Sequence, residues 1–478
     1  MSEYKSYLVK MGKAKCAIDL GDGSERGEYV NQDYVLSRLG RPVRSVCLMY
    51  CYYPNDKYWP KRISEAVKDK SIAFQWDYPY DDYFIYKGGL GGTLDDEPFT
   101  FMRDVRRHGQ EVKLTITMDP FLDDEHIIAI AKDLRTFGRI FLRVNHEATG
   151  DWFSFNKRAS YQEVADFYCR VAKLVHEYAP NVQMVLCLDG VKDITTGEML
   201  KEKEFTQAII DADLWSVDKY MALDCGWPFN PARIGSKTHF RRKASLIYDL
   251  TKLSYEAYVR INGGNKKPMH MSEFNADGNI TGPYEQCEMV EEFCCRLKEE
   301  NANWLDGLSF YQFRDRGRLG LEIQDPNNAD VGIEQPIMKV FKKIIHDDYF
   351  KPLLTKHDEI DFPIRLRWGS SEDAEGICVK LHFEGNPCFC ELKFSDDSNL
   401  IIEFNGKWFY KSPKSKFVDL MPAFFEKPLD EKKVIELNMF APPASGENDI
   451  STEDGMYNSY STINSLPEIR IEYEPIEQ

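Results

Sequence analysis

Two glutamates, Glu147 and Glu273, offer the clearest chemistry in this sequence. Each closes a short, largely apolar run. One run, residues 140–144, is followed directly by Asn145, His146 and Glu147. The other, residues 268–274, reads PMHMSEF. A strand buried on both faces does not end in an amide, an imidazole and a carboxyl unless that end opens into a site. The glutamates lie 273 − 147 = 126 residues apart. If the fold brings them to one place, a pair of carboxyls flanks one bond. Glycosidic-bond hydrolysis needs such a pair, one carboxyl protonating the leaving oxygen and the other meeting the anomeric carbon as an anion.

The elements that must position this pair alternate regularly. Apolar runs at 43–50, 72–76, 112–118, 140–144, 182–188, 214–220, 268–274 and 308–313 read as eight strands. Each after the first is preceded by a helical stretch. This alternation predicts a (β/α)8 barrel. A doubly wound sheet would place a glycine-rich turn after the first strand, and YCYYPND is not one. Residues 16–20 are a further candidate strand, and the first 40 residues can add a strand to the C-terminal module. Beyond residue 361 long helices vanish, and short alternating runs separated by turns such as SDDSN and FNGK predict a β-sandwich. The expected division is a barrel with a short N-terminal extension over 1–355 and a sandwich over 356–478. The apolar junction between them predicts a packed interface.

In such a barrel, side chains at the C-terminal strand ends share one mouth, and the fourth and seventh strands face each other across it. Tyr220, at the end of the sixth run, is placed to donate to Glu273. Asp119 ends the third run. Tyr52, Trp76, Trp152, Trp227 and Tyr311 offer flat apolar faces to sugar rings. Asp119, Asp189, His146 and His270 form a rival metal set, but no H-x-H pair follows the first strand. No metal and no organic cofactor is expected.

The net charge of −17 argues against nucleic acid or an anionic membrane as partner. No apolar run reaches the length of a membrane span. Twelve cysteines lie mostly in apolar runs without a disulfide framework, and the start, MSEYKSYLVKMGKAK, lacks an apolar signal core. A cytoplasmic protein with reduced thiols is expected; the alternative is a secreted protein whose signal had been removed.

The pattern R-x-x-H-E-x-x-G-x-W-F at 143–153 resembles the acid/base motif of glycoside hydrolase family 26, β-mannanase-like enzymes within clan A of retaining (β/α)8 glycosidases. MSEF at 271–274 resembles that family's nucleophile strand, and WSVDKY at 215–220 its sixth strand, with a tyrosine beside the nucleophile. The resemblance implies Glu147 as acid/base, Glu273 as nucleophile, and His146, Asn145, Tyr220 and Arg143 as their support. Asn145 departs from the family's usual apolar residue and is similar to the Asn-Glu pair of other clan A families. The expected activity is retaining hydrolysis of β-mannan or a related polysaccharide or oligosaccharide, most simply as an endo-β-mannanase. A β-xylanase or β-glucanase of the same clan, or a carbohydrate-binding barrel without turnover, are the alternatives.

Overall fold

Runs that the sequence marks as apolar on both sides become parallel strands buried on both faces. In the computed structural model, which describes residues 4–21, 29–68, 84–222, 243–276, 282–315 and 319–473, the chain opens with β1 (Ser6–Met11) and β2 (Ala17–Gly21). After α1 (Gln32–Leu39) come β3 (Ser45–Tyr52), α2 (Trp59–Lys68), β4 (Phe84–Ile85), α3 (Phe99–Arg107), β5 (Glu111–Met118), α4 (Asp124–Leu134) and β6 (Ile140–Val144). Then follow α5 (Tyr161–Tyr178), β7 (Val182–Cys187), α6 (Glu202–Asp211), β8 (Leu214–Met221), α7 (Ala244–Ile261), β9 (Met269–Ala276), α8 (Pro283–Glu299) and β10 (Gly307–Phe310). Every residue of β3, β5, β6 and β9 is buried. The helices cover the ring with one apolar stripe each. In α5 that stripe is Val164, Phe167, Tyr168 and Val171, and a Ser160–Glu163 capping box fixes where the helix starts.

The strands close in the order β2-β3-β5-β6-β7-β8-β9-β10, with β10 returning to β2, all parallel. The eight-stranded barrel therefore stands, but its first strand is β2 and not the run at 43–50, which forms the second. The run at 72–76 lies outside the described residues. β3 pairs directly with β5 over eight positions, Ser45↔Glu111 to Tyr52↔Met118, so no strand fits between them. The candidate strand at residues 16–20 is β2; it is short and carries Asp19 at its centre, so its apolar pattern does not mark it as a barrel strand. Asp19 is buried because Arg44 donates to both its oxygens (2.8 and 2.7 Å) and Lys113 to one of them (2.6 Å). Glu147 still follows the fourth strand, β6, and Glu273 still lies in the seventh, β9.

After the barrel, β11 (Arg314–Asp315), β12 (Glu322–Asp325) and β13 (Asn328–Glu334) make a small sheet that the sequence reading did not foresee, and α9 (Ile337–Ile345) follows. The C-terminal region holds β14 (Leu354–Glu359), β15 (Ile364–Ser370), β16 (Asp373–Phe383), β17 (Phe389–Lys393), β18 (Leu400–Phe404), β19 (Lys407–Lys411), β20 (Phe417–Asp419), α10 (Met421–Glu426), β21 (Lys433–Phe440), β22 (Ser459–Ile463) and β23 (Glu468–Glu472). A larger antiparallel sheet and the three-stranded β20-β17-β23 sheet share one core, including Ile377, Val379 and Leu437 from the first and Cys390 and Leu392 from the second. β1 joins the larger sheet between β14 and β16, so the chain's start adds a strand there.

The larger sheet packs under the barrel's base, where its strands begin. Ser371 donates to Glu111 and to the Arg44 carbonyl, and Arg139 bridges Glu111 (3.0 Å) and Glu372 (2.9 Å). Gly109, in the left-handed region at φ +77°, leaves room for Ile401 and Trp368. Among the described residues no helix is long and apolar enough to cross a membrane. The eleven cysteines among them are free, and Cys225 lies outside.

Two predictions follow from this base. Residues 1–355 expressed alone lose the main partner of β1 and uncover Val9, Met11 and Leu36, which pack with Trp368 and Trp408 in the whole chain, so they should give poorly soluble or strongly destabilised protein. A truncated barrel with unchanged melting would contradict the packed junction. Second, His270 is buried beside Arg44 and Lys113, and burial with these cations lowers its pKa to about 3. The unfolded chain protonates near 6.5, before the fold does, so His270 costs stability as pH falls through the window from about 6.5 to about 3. In His270→Asn, urea midpoints across that window should show a pH slope shallower by up to about 1.4 kcal/mol per pH unit.

Candidate active site

The barrel interior at the level of β6 and β8 is charged, and one arginine organises it. Arg143 points inward from β6 and is 1% exposed. Its Nε donates to Thr115 on β5, Nη1 to Asp218 on β8 and Nη2 to Glu273 on β9, each at 2.8 Å. Tyr220, two residues beyond Asp218 and on the same face of β8, donates to the other oxygen of Glu273 at 2.9 Å. Two donors, one cationic, therefore aim at the two oxygens of this carboxylate.

β9 delivers Glu273 through a bulge. Val217 pairs with Met271, but the next residue, Asp218, pairs with Glu273. Against β10, Leu308 pairs with Met271 and Phe310 with Phe274. β9 thus holds one extra residue relative to both neighbours, which turns the strand locally. Ser272 there bonds Ser216 (2.6 Å).

β6 ends on two non-glycine residues in the left-handed region, Asn145 at φ 48° and Glu147 at φ 50°. Such backbone persists where its surroundings over-determine it. The Asn145 side chain accepts from the Met118 amide at 2.7 Å, and Ala148 bonds the Cys187 carbonyl at 3.2 Å. The buried Nδ2 of Asn145 has no partner among the described residues. Glu147 is partly buried and accepts from the Trp152 indole at 2.8 Å. Burial, then the charges of Asp218, Asp189 and Glu273, push its pKa well above the ordinary glutamate range, with Trp152 pulling the other way. His146 lies 3.8 Å from Glu273 with its ring 4.5 Å from that of Phe153; burial and Arg143 hold it well below the usual histidine pKa, so it is neutral.

Asp218 lies within the sixth run, 214–220, two residues before Tyr220. The structure places it against Arg143 and the Cys187 thiol (3.3 Å), and burial with the Glu273 charge raises its pKa to about 7 against the pull of Arg143. The available signal was a carboxylate inside a buried strand, one side-chain repeat before Tyr220. His146, Asp218 and Glu273 are the only group among the described residues that can offer three metal ligands, within 4.8 Å of one another. Arg143 already brings the positive charge to two of them.

The remaining expected site residues divide. Tyr311 meets Tyr220 edge-on at 6.0 Å. Trp152 is half-buried, with Lys192 5.6 Å from its ring and Lys192 paired to Asp189 at 2.8 Å. Asp119 is held in an ion pair with Arg158, which also binds Asp56 and lies 4.2 Å over Trp59. Tyr52 does not line the mouth: it is 4% exposed, bonded to His126 at 2.9 Å and packed on Tyr86. Trp76 and Trp227 lie outside the described residues.

No protein-family model and no curated protein matches this chain. Solved structures do. A family 39 glycoside hydrolase from Bacteroides cellulosilyticus WH2 is 11% identical with a TM-score of 0.43, covering 89% of this chain and 80% of that one. A GH26 β-mannanase from Bacteroides ovatus is 12% identical with a TM-score of 0.42, covering 71% and 90%. A family 51 α-L-arabinofuranosidase from Bifidobacterium longum is 11% identical with a TM-score of 0.44, covering 91% and 100%. The barrel assignment rests on this chain's own strand pairing.

The site's electrostatics predict opposite effects from two substitutions. Trp152→Phe removes a donor that favours the Glu147 anion and should raise its pKa further. Asp218→Asn removes a negative neighbour and should lower it. A carboxyl-carbon NMR titration with labelled glutamate reads both, and shifts of the same sign would contradict the assigned causes.

Proposed function

We propose that this chain is a retaining β-glycoside hydrolase using Glu147 as acid/base and Glu273 as nucleophile. The observation that carries the proposal is the asymmetry of the two carboxyls. Glu147 is held toward its protonated form by burial and three negative neighbours, while Glu273 receives hydrogen bonds from Arg143 and Tyr220. One carboxyl is thus prepared to give a proton and the other to attack.

In the first step a Glu273 oxygen attacks the anomeric carbon as the bond to the leaving oxygen breaks, and the Glu147 proton passes to that oxygen. Arg143 and Tyr220 hold the Glu273 carboxylate in line. Forming the glycosyl ester removes the Glu273 charge, one of the charges raising the Glu147 pKa. Glu147, now a carboxylate, then takes a proton from water as the water oxygen attacks the anomeric carbon and the ester bond breaks. Neutral His146 packs beside Glu273 without adding a competing charge. Trp152 and Tyr311 offer apolar ring faces near the reacting carboxyls. The leading substrate is β-mannan or a manno-oligosaccharide, supported by the motif at 143–153; xylan and β-glucan chains are next. Residues 1–355 are proposed as the catalytic unit and 356–478 as an accessory module bracing its base.

The two glutamates should fail in different ways. Glu273→Ala should abolish turnover of every substrate, since no glycosyl-enzyme can form. Glu147→Ala should be slow on natural glycans but far less impaired in the first step with an aryl leaving group of low pKa, which departs unprotonated. Azide should then speed release of a β-glycosyl azide. A Glu273→Ala protein that still turns over would remove this assignment.

A further inference from the structure

Asparagine is a poor strand former, and a buried amide needs partners for two N–H donors and for a carbonyl oxygen. Asn275 lies in β9, two residues beyond Glu273, and is fully buried. Its Nδ2 donates to the carbonyls of Tyr311 and Leu319, each at 2.6 Å. Its Oδ1 accepts from the Ala276 amide at 2.7 Å and from Nε2 of Gln286, on α8, at 3.2 Å. Gln286 is buried too, and its Nε2 also donates to the Ala276 carbonyl at 2.9 Å. These partners fix the sense of the Asn275 amide: two donors face its oxygen and two carbonyls face its nitrogen. An aspartate does not replace it, because a carboxylate would turn an acceptor toward both carbonyls.

Both carbonyls belong to the chain that leaves β10. The Tyr311 amide donates to the Phe274 carbonyl at 3.1 Å, one residue beyond the end of β10. The Asn275 side chain then holds the Tyr311 carbonyl, so both main-chain polar groups of Tyr311 are tied to β9. This tie bears on the site. Tyr220 pairs with Asn275 between β8 and β9, gives its hydroxyl to Glu273 and meets the Tyr311 ring edge-on at 6.0 Å. The nucleophile strand thus sets the place of the aromatic ring beside its own hydroxyl donor.

We propose that Asn275 is a positioning residue of the hydrolase: by holding the Tyr311 carbonyl it sets the Tyr311 ring against Tyr220, and with it the place of the sugar that Glu273 attacks. The proposal rests on Glu273 as nucleophile and on Tyr311 as a sugar-facing ring. Asn275 acts through Tyr311 and not on the substrate. A ring on an untied strand end leaves the sugar free to shift, and a misplacement of about 1 Å at the reacting carbon costs on the order of 100-fold in rate.

The test is a double-mutant cycle on the full chain. It reads the rate at which a 2-deoxy-2-fluoro-β-glycosyl fluoride labels Glu273, well below each variant's melting midpoint. Tyr311→Ala and Asn275→Asp should each slow labelling by about 30-fold. Gln286→Leu removes a donor that orients the amide and should slow it by about 5-fold. In the Tyr311→Ala background, Asn275→Asp and Gln286→Leu should each cost less than about 2-fold more. A structural role alone would lower the melting midpoint and leave the labelling rate of folded protein unchanged. Unchanged labelling in Asn275→Asp, or the same loss with and without Tyr311, would overturn the proposal while Glu273 keeps its role. If Asn275→Asp does not fold, the Gln286→Leu cycle decides by the same two outcomes. In the unmodified protein, label on another residue or no label would remove the nucleophile assignment and this proposal with it.

Discussion

Arg143 is the contact on which the charged half of the barrel depends. Its fork spans three strands and holds Thr115, Asp218 and Glu273 at once, each at 2.8 Å. Three carboxyls, Glu147, Asp218 and Glu273, influence one another here against a single guanidinium. In a low-dielectric interior that imbalance favours keeping a proton within the group. Burial first, and then this imbalance, raises the pKa of both Glu147 and Asp218. Burial, with the same cation, holds His146 well below the usual histidine pKa. Without Arg143, Asp218 and Glu273 would face each other unshielded, and neither geometry nor protonation would survive.

The barrel separates this tension from its stability. At the base, Asp19, Arg44 and Lys113 form a matched network, and Ser309 accepts from Lys113 at 2.7 Å. Phe141 divides this layer from the one above, with Arg44 and Lys113 5.2 and 5.9 Å from its ring. The antiparallel module packs against that lower end, so it can stiffen the strand origins. Asn145 and Glu147, both in the left-handed region, lie at the mouth, where substrate would bind.

The sequence carried the alternation of strands and helices, the change of texture near residue 361 and the two glutamates, because each is a local pattern. It offered residues 16–20 as a strand but hid that β2 is the barrel's first, because the buried Asp19 is satisfied by residues 25 and 94 positions away. A charge in a five-residue strand argues against burial in a barrel until its partners are known. The bulge at Ser272 was equally hidden, since an extra residue shows only against the register of neighbouring strands. Strand-end position alone could not tell that Tyr52 turns outward to His126 or that Asp119 is taken by Arg158. A strand of period two sends successive side chains to opposite sides, and a shift of one residue at its end reverses the assignment.

Trapping the glycosyl-enzyme tests the central assignment most directly. The unmodified protein is treated with a panel of 2-deoxy-2-fluoro-β-glycosyl fluorides, manno and gluco configurations first, and the labelled peptide is located by mass spectrometry. The account predicts a single covalent sugar on Glu273, with the first product of a turned-over substrate keeping its anomeric configuration by NMR. A label on another residue, or inversion at the anomeric carbon, would contradict it.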